Sequence, residues 1–297
     1  MRLFISSVAA LTIAAGANAQ VLDGQLDAVY GAPLSVQNTQ TEFGNSNLGV
    51  ANWANGSELN AVYCRSDANN LYLMFTGNLE SNWNKFELFL DTRSGGQNQL
   101  RGDNPNVDFN GLNRMGNDGS GNGLRFDAGF EADYFITVTG GDVGGGNWNF
   151  FANYAEILTG GGGSGQFLGG AGTGGTIVGG NGISIALNNS NTAGVGGGNG
   201  LDNGLNGAPI FGIEMCIPLA AIGNPSIAGM KGVAFINGGG HDYMSNQVLG
   251  GLGGMGNLAE PRNVNFANIA GDQFFRIPSP GSLALLGLGA LVARRRR

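Results

Sequence analysis

The chain reads as an all-β protein, a sandwich or barrel of short strands joined by glycine-rich loops. Three observations carry this reading. Glycine supplies 57 of the 297 residues, about 19% against a usual ~7%, and glycine and the abundant asparagine both disfavour helix interiors. Nine or ten apolar runs of strand length are separated by Gly, Asn and Asp turns. No segment keeps a helical apolar stripe beyond about one turn, the nearest being Leu219 to Ile222.

The first segment is a targeting signal. MRLFISSVAALTIAAGANAQ has an early positive charge (Arg2), an apolar run from Leu3 to Ala15 and small residues at Ala17 and Ala19. This is the layout of a secretory signal peptide over residues 1–19, cleaved before Gln20. A body over residues 20–277 follows, expected to form a single domain with enough chain to bury a core. Its strands are expected at Glu58 to Arg65, Leu71 to Phe75, Lys85 to Leu90, Ala132 to Thr139 and Asn147 to Leu158. Further strands are expected at Gly182 to Leu187, Phe211 to Leu219, Gly232 to Ile236 and Gln273 to Ile277. In the third of these runs Phe86, Leu88 and Leu90 alternate onto one face.

Between about 160 and 204 glycine dominates. Such a stretch has few side chains to bury and loses much entropy on ordering. It is expected to form long surface loops around one strand at Ile183 to Leu187. Residues 278–297 are different again: a thirteen-residue apolar stretch from Gly281 to Ala293 stops at Arg294, Arg295, Arg296 and Arg297. A membrane-spanning helix takes about 20 apolar residues, so this stretch is short for a permanent anchor.

Charge narrows the partners. Five of the fourteen basic residues lie in the two end segments, which hold none of the 21 acids, so the body carries nine basic and 21 acidic side chains. That balance argues against nucleic acid and anionic lipid. Cys64 and Cys216 both fall in strand-like runs; one disulfide and two free buried thiols both remain open for an exported protein.

The enzyme search finds little. His241 is the only histidine and sits in GGGHDYMSN, where a solvated turn histidine is expected. There is no H-E-x-x-H, G-x-S-x-G or phosphate-binding loop. Paired carboxylates exist, for example Glu131 and Asp133 on the same side of a strand, a candidate glycosidase acid and base with a solvated face as the plainer expectation. In RGDNPNVDFNGLNRMGNDGSGN, Asn106, Asp108, Asn110 and Gly111 imitate the start of an EF-hand loop, but Asn117 stands where a bidentate glutamate belongs. The candidate cofactor is therefore calcium at an irregular site using Asp103, Asp108 or Asp118, against a plain hydrated loop. Trp53, Trp83 and Trp148 all follow asparagine. An aromatic face beside amides suits the apolar face and hydroxyls of a sugar, so these three are candidate sugar-stacking residues.

Two resemblances extend this reading. Pro278-Ser279-Pro280-Gly281, the run LALLGLGALVA and Arg294 to Arg297 together resemble the PEP-CTERM sorting signal, with Ser279 where the family usually has glutamate. The resemblance implies export, transient inner-membrane retention through the tail, and processing near the proline motif by an exosortase-type sorting enzyme after signal peptidase has acted. It also implies a final location at the cell surface or in the extracellular matrix. In the body, Val21 to Asp27, NNLYLMFTGNL, FELFLDT and GIEMCIPLAAIG resemble, in order, motifs of family 9 carbohydrate-binding modules and related DOMON-like sandwiches. That resemblance implies a jelly-roll-like antiparallel β-sandwich with long Gly-rich loops, and sugar binding as a candidate function. The expectation is a non-enzymatic, exported surface or matrix protein that holds polysaccharide. Its rivals are a matrix protein without ligand and a secreted hydrolase built on Glu131 and Asp133.

Overall fold

The structure is a computed structural model that describes residues 20–37, 39–42, 56–191, 195 and 209–279. Ala17 and Ala19 of the expected signal peptide, Trp53, and the tail from Pro280 and Gly281 through Arg294, Arg295, Arg296 and Arg297 lie outside the described residues.

Among the described residues thirteen strands form in chain order: β1 (Ser35–Val36), β2 (Glu58–Ser66), β3 (Asn70–Asn78), β4 (Asn82–Asp91), β5 (Tyr134–Asp142), β6 (Trp148–Glu156), β7 (Gly165–Gly172), β8 (Thr176–Val178), β9 (Ser184–Leu187), β10 (Gly212–Pro218), β11 (Lys231–Asn237), β12 (Met244–Val248) and β13 (Phe275–Arg276). One α-helical turn, α1 (Gly111–Arg114), interrupts a long connection, and Leu219–Ile222, the segment nearest to a helical apolar stripe, forms a 3-10 turn. The strands build two antiparallel sheets, so the chain is an all-β sandwich. The first has the order β1-β2-β3-β10-β9-β8; the second has β12-β11-β4-β5-β6-β7, with β13 also on β11.

Alternation along the strands explains the layers. In β4, Phe86, Leu88 and Leu90 face the first sheet and meet Leu71, Leu73 and Phe75 of β3 in the main core. The opposite residues of β4, Lys85, Glu87 and Phe89, face away from it. Over the Phe89 end lies a second core, where Phe89, Phe135 and Phe235 pack against Leu100, Phe126, Phe130 and Phe266 from the irregular connections. Over the Lys85 end that irregular layer gives way to a groove. The second sheet is thus a central layer whose outer face is apolar at one end and polar at the other.

The glycine-rich insertion departs from expectation. Gly165–Gly172 and Thr176–Val178 form strands β7 and β8 rather than loop. β7 pairs with β6 along seven register positions and Ile177 of β8 is buried. Backbone hydrogen bonds need no side chains, and Leu168 and Ile177 supply enough apolar surface to pin the edge.

The cysteines do not pair. Cys64 is opposite Leu73 on one side of β3, and Cys216 is opposite Tyr72 on the other. Adjacent residues of a strand point to opposite faces, so Cys64 enters the core while Cys216 faces outward. Both thiols are free, and the candidate disulfide is ruled out by this register.

Candidate functional site: an aromatic groove on the second sheet

The groove is built from register. Rows of residues cross the outer face of the second sheet: Asn237, Lys85, Thr139 and Phe151 in one, and Phe235, Glu87, Thr137, Asn153 and Phe167 in the next. Polar residues therefore lie centrally and aromatic ones toward the β6–β7 edge. A cavity of about 550 Å³ opens over them, with Trp83, Phe109 and Gly239 on its rim.

Trp83 is placed by a β-bulge. The β4–β5 register shifts between Asn82 and Lys85, and Trp83 takes a left-handed φ of 70°. Bulges re-aim a side chain, and here the indole comes to lie on Gly141 of β5, where a Cβ would be 2.5 Å from the ring. The Thr139 hydroxyl donates to the Trp83 carbonyl at 2.8 Å and fixes the bulge. Trp83 is 39% exposed and stacks on Phe151 with centroids 6.2 Å apart and an interplanar angle of 29°. Phe151 in turn lies over Gly170 of β7. The result is a partly exposed aromatic platform beside Phe167, which is also exposed. The Asn153 side-chain amide borders the same space.

Below the platform is a buried charged chain. Lys85 Nζ contacts Asp108 Oδ2 at 2.8 Å; His241 Nε2 donates to the same oxygen at 2.9 Å, and His241 Nδ1 donates to Glu87 Oε1 at 2.6 Å. Both partners of the imidazole are carboxylates, which only accept, so both ring nitrogens must carry protons. Burial disfavours the His241 charge, but Glu87 and Asp108 outweigh it and push its pKa up to about 9. Burial likewise pushes Asp108 up, and the bonds from His241 and Lys85 overcome this to hold it below the usual carboxylate range. Glu87 Oε2 and Thr137 Oγ1, on directly opposed residues, are buried without a partner.

Backbone strain concentrates here. Seven described non-glycine residues have positive φ, and five of them, Trp83, Asp108, Phe109, Asn110 and His241, belong to this site. Such conformations cost about 1–3 kcal/mol each and persist only where surroundings enforce them. Three in succession carry Phe109 out to complete exposure. Gly111 is required next to them, because a Cβ there would overlap the His241 ring.

The residues singled out in the sequence are dispersed. Of the tryptophans, Trp83 lines the groove, whereas Trp148 is 4% exposed in the inter-sheet core, packed on Gly140, and has no face to offer a sugar. His241 is buried rather than solvated: the glycines around it let the chain turn the ring inward onto Gly111. Asp103 is paired with Arg101, Asp108 with Lys85 and His241, and Asp118 with Arg262. Asp103 and Asp118 border one cavity, each beside its arginine, while Asp108 is engaged separately by Lys85 and His241; among the described residues no group of three or more His, Cys, Asp and Glu that could hold a metal is found. Asp133 is buried and accepts from the Thr92 and Arg93 amides, while Glu131 is exposed, so that pair shares no common environment. Gln20 bonds to Glu214 at 3.0 Å, and Pro278 and Ser279 are half-buried after β13. No helix of the described residues is long and apolar enough to cross a membrane.

Phe109, Phe151, Phe167 and Asn153 were not foreseen. Phe151 and Asn153 do alternate along one face of β6, which is the one local signal that could have grouped them. No protein-family model matches the chain, and neither curated proteins nor solved structures provide a match.

Proposed function

We propose that this is an exported, non-enzymatic protein of the cell surface or extracellular matrix that binds polysaccharide through the groove on its second sheet. The observation that carries the binding half is the platform of Trp83 on Gly141, stacked with Phe151 and flanked by the amide of Asn153. Flat aromatic rings take the apolar face of a pyranose and neighbouring amides take its hydroxyls. The delivery half rests on the two end segments: a signal peptide removed by signal peptidase before Gln20, and a Pro278-Ser279-Pro280 tail handled by an exosortase-type enzyme after transient membrane retention.

Affinity electrophoresis of the purified protein through gels containing single polysaccharides tests the binding half. Retardation by at least one polysaccharide is expected, with Trp83→Ala weakening it by about tenfold or more. Unretarded migration in every gel would leave a matrix protein without ligand as the better reading. Mass measurement of the native protein with and without the tail tests the delivery half, and an uncleaved tail would sink it.

A further inference from the structure

The aromatic cavity does not stand alone. A second cavity of about 360 Å³ shares Phe109 with it and is lined by Asn110, Asn113, Arg114 and Arg262. A third, of about 430 Å³, shares Gly102, Asn117 and Asp118 with the second and reaches Arg101 and Asp103. We propose that the three form one continuous groove that takes an internal segment of an uncharged polysaccharide chain, with Phe109 as its middle contact. The inference rests on the sugar-binding reading of the first cavity and adds the class of ligand.

Two features favour a chain over a single sugar or a chain end. Successive cavities share walls, so a ligand leaving the Trp83 platform meets Phe109 and then a run of amides. Phe109 is completely exposed on three strained residues, and Asp108 beneath it is tied down by Lys85 and His241. A rigidly held, fully solvated ring is costly unless something covers it.

Charge selects the neutral polymer. Every cationic side chain bordering the groove already has a carboxylate: Lys85 with Asp108 at 2.8 Å, Arg114 with Glu260 at 2.6 Å, Arg262 with Asp118 at 3.0 Å and Arg101 with Asp103 at 2.6 Å. Each of these cations is already neutralised by its own carboxylate, and the body's excess of acids repels polyanions such as uronate chains. The remaining groups, amides and aromatic faces, suit hydroxyl-bearing units.

Calorimetric titration of the whole protein with neutral gluco-, xylo- and manno-oligosaccharides of increasing length, and with oligogalacturonates, tests this. Affinity for one neutral series should rise by at least about tenfold from dimer to hexamer. Phe109→Ala should remove most of that rise, while Trp83→Ala weakens every length. Length-independent binding that still needs Trp83, or preference for the oligogalacturonates, would overturn the groove proposal and leave sugar binding standing. No binding of any saccharide would overturn both. Concentration-dependent dimerisation lost in Phe109→Ala would instead assign the surface to a second copy of the chain.

Discussion

His241 lies between Glu87 and Asp108, and an imidazole can donate to two carboxylates only as the cation. Its folded-state pKa of about 9 lies above the ordinary 6.5. Protonated His241 therefore adds stability that is complete below about pH 6.5 and is lost as pH rises through about 9, on the order of 3 kcal/mol. Urea unfolding across pH 6 to 10 should show the midpoint falling over that window, and His241→Gln should flatten the fall. A wild-type midpoint that stays level would contradict the doubly hydrogen-bonded imidazole. At this scale little was legible beforehand. GGGHDYMSN shows a turn, and nothing in those nine residues points to Glu87 or Asp108, which are 154 and 133 positions away. Contacts of that separation follow from sheet register, which no local window contains.

Among elements, β4 and β5 show how a strand positions the ring at the centre of the proposed binding surface. The bulge at Trp83 re-aims the indole, and Gly141 removes the side chain that would otherwise occupy its place. Gly141 has no positive φ, so alanine suits its backbone, and the atoms nearest to its new Cβ all belong to the Trp83 ring. Gly141→Ala should leave the fold intact, shift the Trp83 contribution to fluorescence and weaken polysaccharide retention by several-fold. Unchanged emission and retention would show that the indole does not rest there. The strands themselves were readable: nine of the expected runs coincide with β2 to β6, β9 to β11 and β13. β7 was not, because GQFLGGAG offers few side chains, and its order comes from pairing with β6. β1, β8 and β12 are short or polar and were missed for a related reason. Two of the sequence motifs also meet: Glu214 of β10 accepts hydrogen bonds from the Asp23 and Gly24 amides, at 3.0 and 3.1 Å. This ties the start of the body to the first sheet.

For the molecule as a whole, stability comes from two apolar layers on either face of the second sheet, without a covalent tie. Reductant should therefore leave the Tm unchanged. Burial pushes the Cys64 thiol up to about 12 and also raises Cys216. An alkylating reagent should label the half-buried Cys216 slowly in the native protein and Cys64 only after unfolding. A drop in Tm on reduction, or rapid native labelling of Cys64, would contradict the register of β2, β3 and β10. The same two-sided burial frames the groove: the apolar irregular layer covers the Phe89 half of the outer face, whereas over the Lys85 half only the Asp108 and His241 loops lie on the sheet and a cavity remains beside Trp83 and Phe151.

An all-β sandwich was legible because alternation and turn chemistry are local, written within each run of five to ten residues. The proposed export and sorting signals are local in the same way, being read from contiguous segments at either end. The groove was not local. Trp83, Phe109, Phe151 and His241 come together only when strands distant in sequence take one register, and Trp148, equally promising in the sequence, goes to the core because its position in β6 has the other parity from Phe151. One residue of offset in a strand decides which face a side chain meets, and that decision belongs to the assembled sheets.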